Sequence, residues 1–194
     1  MSEAAHIDPT RTSTGLDSRK LGMWIFLVTE VMLFSSLIGA FLQMKARSPA
    51  GAHLVLNVPV TAVNTFILIV SSTTVVLALQ AIMNGDKRKL KLYLAATLAL
   101  GATFLGIQVF EYYELIVHKG FTPSGSLFGG GFFTVTGFHG FHVFIGLLWC
   151  AGLLREALQE RFSPTNYMRI EIFGLYWHYV DVVWIILFTI IYLI

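Results

Sequence analysis

The chain has 194 residues, enough for one domain, and is 56% hydrophobic with 12% charged residues. Soluble domains carry roughly 25% charged residues, so this much apolar surface, with a mean hydropathy of +0.72, excludes a water-soluble globule and makes lipid the favourable solvent. The net charge of +2 gives no ground for nucleic-acid binding, and the single cysteine, Cys150, excludes an intrachain disulfide or a CxxC pair.

Residues 1–20 are polar, hold Pro9 and Gly15, and read as a flexible cytoplasmic N-terminal tail with no cleavable signal peptide. Residues 21–194 read as one five-helix transmembrane domain. Its five apolar segments are Leu21–Met44, Pro59–Met83, Leu90–Val117, Gly131–Leu154 and Ile172–Ile194. Each has at least the ~20 residues that span a ~30 Å hydrocarbon core as helix. Helices satisfy their own backbone hydrogen bonds, as lipid demands. The predicted fold class is therefore all-α, an integral membrane bundle. Pro59 suits a first helical turn, and residues 84–86 (Asn-Gly-Asp) and 123–125 (Pro-Ser-Gly) read as turns.

Five spans place the N-terminal tail, the second linker and the fourth linker on one side. Those segments hold ten Lys and Arg, against Lys45, Arg47 and Lys119 on the other side. The positive-inside rule then puts the N-terminus in the cytoplasm and the C-terminus outside.

Ionisable groups inside spans cost about 2.5–3.5 kcal/mol each on insertion scales and often mark function. Glu30 lies ten residues past Lys20, about 15 Å along the helix axis and near mid-membrane. Its neighbours in sequence are apolar. It reads either as a carboxyl bonded to another helix or as a proton-linked group. Gln108, Glu111 and Glu114 lie in segment three, the last two near one face and toward water. His139 and His142 lie in segment four, three residues apart. They could bind a metal, but Gly137, Gly140 and Gly146 favour close packing with the imidazoles bonded across helices. His178 and Asp181 in segment five can pair on one face. Asn64, Thr65 and Ser71–Thr74 read as helix contacts, and Cys150 as a small buried side chain. Within the five apolar segments no ligand spacing of the His-Glu-x-x-His or Glu-x-x-His type occurs.

Five stretches carry a resemblance: residues 24–34 (WIFLVTEVMLF), 64–72 (NTFILIVSS), 104–112 (FLGIQVFEY), 132–143 (FFTVTGFHGFHV) and 176–184 (YWHYVDVVW). In this order they resemble the subunit III family of heme–copper oxidases, in its short five-helix bacterial form. Many members have seven spans, so the resemblance covers the last five. It implies an accessory, non-catalytic subunit of a proton-pumping terminal oxidase of aerobic respiration, in the bacterial inner membrane. No catalytic residue and no metal ligand is then expected on this chain. Hemes and copper are expected in partner subunits I and II, with a bound phospholipid and contact with other respiratory complexes as further implications. Glu30 matches the family's buried, carbodiimide-reactive carboxyl. His142, His178 and Asp181 match polar positions of the family that read as structural; with Gln108, Glu111 and His139 they make up the expected buried polar network, and Arg155 sits where a lipid phosphate could meet it. Glu30 and Gln108 resemble the cytochrome c branch, with a quinol oxidase as the alternative. A membrane metalloenzyme built on His139, His142, His178 and Glu111, and a small transporter, are the readings from other classes.

Overall fold

A computed structural model describes residues 17–49 and 51–194. Most of the expected tail, residues 1–16, lies outside the described residues. The five expected spans are all present as α1 (Ser18–Ala46), α2 (Val58–Met83), α3 (Lys87–Tyr113), α4 (Leu127–Leu158) and α5 (Met168–Phe188). α3 and α5 each run on into a wide π turn, Glu114–His118 and Thr189–Leu193. Helix α1 starts ahead of the expected Leu21, because Asp17 accepts the Arg19 backbone N–H and caps the first turn. Asn57, Asp86 and Ser126 cap α2, α3 and α4 in the same way, and Pro59 stands in the first turn of α2.

All five helices are long and apolar enough to cross a membrane, and the chain is a multi-pass membrane protein. Their outward faces show the reason lipid is required. Ile25, Met32, Phe66, Phe110 and Phe141 are all exposed, and helices apolar all round need an apolar surrounding. α2 and α3 form a tight antiparallel hairpin across Gly85, whose φ of 77° suits glycine. α5 packs on α2 and α4, α4 also packs on α3, and α1 lies against α4 and α5. Helix α1 is peripheral: 17% of its most apolar stretch is buried, against 50% for α5.

Close packing centres on Trp177. A Cβ on Gly146 of α4 would lie 2.6 Å from its ring, and one on Gly101 of α3 would lie 2.9 Å away. Both glycines therefore admit the indole, which buries more surface than any other side chain. Gly137 and Gly140, expected to serve the same purpose, have only ordinary contacts of 3.9 and 3.8 Å. Their helix face has room for a methyl group.

The two ends of the bundle differ in charge. At the end holding the α2–α3 turn, Lys20 pairs with Glu171, Arg169 with Glu156, and Lys87 and Lys91 with Glu160. At the other end, Lys45 donates to the Ile190 carbonyl (2.9 Å) and Lys119 to the Val55 carbonyl (2.7 Å).

Candidate functional site

The polar groups singled out in the sequence do not form one cluster. They fall into two places: a pair on the outer wall between α1 and α4, and a set inside the bundle. Among the described residues, no group of three or more His, Cys, Asp and Glu side chains gathers as a metal site would.

On the wall, His142 Nε2 lies 3.1 Å from Glu30 Oε2. His142 Nδ1 faces the Phe138 carbonyl at 2.7 Å. A carbonyl only accepts, so Nδ1 carries a hydrogen and Nε2 is left to Glu30. The Glu30–His142 contact therefore holds one proton, either on the carboxyl of a neutral pair or on the imidazole of an ion pair. The neighbours that Glu30 lacks in sequence are supplied by α4, 112 residues away. The pair borders a groove of about 430 Å³ whose other walls include Met23, Phe26, Ile145, Trp149 and Tyr176. Trp149 also borders a second hollow of about 370 Å³ that ends at Glu156 and Arg169. The two hollows thus run from mid-span to the charged rim.

Inside, His139 directs Nε2 at the Val180 carbonyl (3.2 Å) and its ring lies 4.7 Å from that of Trp184. His139 and His142, three residues apart, therefore serve different helices and do not converge. Glu111 Oε1 accepts from the Tyr192 hydroxyl (3.1 Å) and the Thr61 hydroxyl (3.2 Å). It is buried, whereas Glu114 at the start of the π turn is part-exposed and pairs with Lys119 at 3.6 Å. The expected shared face separates at that turn, where the helix opens. Gln108 is buried in the same seam.

His178 and Asp181 do not hydrogen-bond each other. Asp181 is buried on the bundle side, facing the Ser72 hydroxyl of α2, while His178 is half-buried. Three residues along a helix still rotate a side chain by about 60°, enough here to part an inner from an outer position. Arg155 is exposed in the last turn of α4.

The hydroxyls of α2 hold helices together, as expected. Ser71 accepts the Trp177 indole N–H (3.0 Å) and Thr65 that of Trp184 (2.9 Å). Thr74 shares a hydrogen bond with Thr97 of α3 (2.7 Å), and Asn64 Nδ2 donates to the Phe104 carbonyl (3.1 Å). Cys150 is buried with its thiol toward the Leu94 carbonyl. Sequence reasoning missed Thr61, Tyr176 and Tyr192. Tyr176 donates to the His142 carbonyl at 2.9 Å, so α5 steadies the helix that carries the wall imidazole.

Comparison with known proteins bears on this arrangement. The family model described as cytochrome c oxidase subunit III matches residues 1–194. The chain is 37% identical over 188 residues to cytochrome c oxidase subunit 3 of Bacillus sp. strain PS3, covering 95% of this chain and 90% of that one. It is 38% identical over 175 residues to quinol oxidase subunit 3 of Bacillus subtilis, covering 89% and 85%. It is 36% identical over 176 residues to cytochrome bo(3) ubiquinol oxidase subunit 3 of Pseudomonas putida, covering 89% and 84%. The family match runs through all five spans, both polar sites included, and the chain belongs to the cytochrome c oxidase subunit III family of the heme–copper oxidases.

Proposed function

We propose that this chain is the accessory third subunit of a proton-pumping terminal oxidase, set in a bacterial inner membrane beside the subunits that carry heme and copper. One observation carries this reading: the family match spans every residue, while His139, His142 and Glu111 each hold helices of this chain together. His139 is engaged by α5, His142 by Glu30, and Glu111 by α2 and the terminal turn. Such a chain stabilises a neighbour rather than housing a redox centre of its own. Subunits I and II are the partners this reading names.

The groove at Glu30 suits a phospholipid tail. Its walls are mostly apolar, and it leads by way of Trp149 to the charged rim at Glu156 and Arg169. Arg155 in the neighbouring turn is free to meet a phosphate. A lipid held there, together with the shared proton of Glu30 and His142, would support proton uptake by the adjacent catalytic subunit. The excess of Lys and Arg at that rim supports a cytoplasmic rim and a cytoplasmic N-terminus.

The named relatives divide between cytochrome c and quinol as electron donor. The Glu30 and Gln108 identities favour cytochrome c. Affinity purification from native membranes in mild detergent tests the whole reading. Heme-bearing and copper-bearing chains should co-purify, with oxygen consumption on reduced cytochrome c exceeding that on quinol. Purification of the chain without any redox partner would overturn it.

A further inference from the structure

The helices joined by the Thr61–Glu111 and Asn64–Phe104 bonds, and α4 beside them, carry buried polar atoms that find no partner among the described residues. They are Asn64 Oδ1, both amide atoms of Gln108, Glu111 Oε2 and His139 Nδ1. The four residues are each at least nine-tenths buried.

Their placement follows from the helix geometry. α2 and α3 run antiparallel, so Thr61 opposite Glu111 sets Asn64, one turn along α2, opposite Gln108, one turn back along α3. The Asn64 bond agrees: the Phe104 carbonyl to which it donates points up the helix at Gln108. His139 of α4 packs edge-on against Phe104, at 5.9 Å between ring centres. Three helices therefore bring unpaired polar atoms to one level of the interior.

The hydrogen count identifies the ligand. Asn64 gives its N–H to a carbonyl, so the free atom is the oxygen, an acceptor. His139 Nε2 gives its hydrogen to the Val180 carbonyl, so the free Nδ1 is also an acceptor. Gln108 adds one acceptor and one NH₂ group, and Glu111 adds the oxygen that Thr61 and Tyr192 leave unused. Acceptors outnumber donors. A metal cation would leave the Gln108 N–H groups unanswered. Water both donates and accepts, and buried polar sites of this kind hold water in folded proteins.

We propose that this level of the bundle is a built water site, in which one or more ordered water molecules join Gln108 of α3 to Asn64 of α2, His139 of α4 and the inner oxygen of Glu111. The water acts as a joint between three helices, in an interior where Phe104 and Trp184 are also fully buried. It accounts for two amides and an imidazole placed inside membrane spans, where each would otherwise be costly.

The test is a density map of the intact complex containing this chain, at a resolution where ordered water is visible. The expected result is a water peak within hydrogen-bonding distance of Gln108 and of at least one of Asn64 Oδ1, His139 Nδ1 and Glu111 Oε2. Direct bonds among these side chains, with no water between them, would overturn the proposal. In a Gln108→Leu variant, the peak should be lost or displaced while the chain stays in the complex. An unchanged peak would remove Gln108 from the site and refute the assignment. The site lies wholly within this chain, so its failure leaves the oxidase reading untouched, and the failure of that reading leaves the site testable in the chain as isolated.

Discussion

The imidazole of His142 meets the carboxyl of Glu30 at 3.1 Å across the seam between α1 and α4. Helix α1 is the least buried of the five, and this mid-span bond joins Lys20–Glu171 and Lys45–Ile190 at its ends in fixing its register. Glutamine at position 30 could donate to His142 Nε2 as a carboxyl does, but it carries no exchangeable acid proton. Glu30→Gln should therefore keep the chain in the complex at the wild-type ratio, read by quantitative gel or mass spectrometry of the purified oxidase, while lowering sustained turnover. Glu30→Leu should lower the temperature at which the chain dissociates, because a buried imidazole nitrogen left unpaired costs about 1–3 kcal/mol. Failure of the glutamine variant to assemble would make Glu30 structural instead.

Trp177 fixes a second prediction. The Cβ that Gly146→Ala would add lies 2.6 Å from the indole, and overpacking of that kind costs about 1–3 kcal/mol. Thermal dissociation of the complex should show the loss, and Trp177→Phe added to Gly146→Ala should recover part of it. Gly137→Ala and Gly140→Ala, whose neighbours are at 3.9 and 3.8 Å, should be near neutral. Equal damage from all three glycine variants would show that the helix seams differ from those described.

At the charged rim, the hydrogen bond from Lys91, and then the charge of Lys87, hold the Glu160 carboxyl below its usual range. A depressed carboxyl stabilises the fold at pH values above its unfolded range and loses that effect as pH falls through its folded value. The difference between wild type and Glu160→Gln should thus be small at neutral pH, vanish in acid, and shrink in high salt, since Glu160 is exposed and screened. Melting curves across pH and salt measure it. A difference that grew on acidification would contradict the pairing.

Cys150 offers a readout that needs no variant. It is fully buried against α3, so a maleimide should label it only after denaturation. Reporter cysteines at Thr165 and Ser124, both exposed in linkers at opposite ends, should then react from the cytoplasmic and outer faces of the membrane respectively. The reverse pattern would invert the proposed topology.

The spans were readable because their signal is local: some twenty apolar residues and a turn suffice to show each one. The ends moved outward by a few residues where caps at Asp17 and Asp86 extend the helices into polar sequence. Partnerships were not readable in the same way. Spacing suggested His139 beside His142 and His178 bonded to Asp181, but each pair straddles a seam and its members face different surroundings. The partner of Glu30 lies 112 residues away and that of Trp184 lies 119 residues away. Only helix packing brings them together. Trp177 and Trp184 stand seven residues apart in the sequence, but their partners Ser71 and Thr65 on α2 emerge only from the packing.

In the proposed function this chain supports a redox centre held elsewhere. Metal and heme content, measured on the purified complex and again on this chain after it is separated from its partners, tests that directly. All heme, copper and other transition metal should remain with the partner chains. Stoichiometric metal that stays with this chain, and is lost when His139 and His142 are replaced, would contradict it.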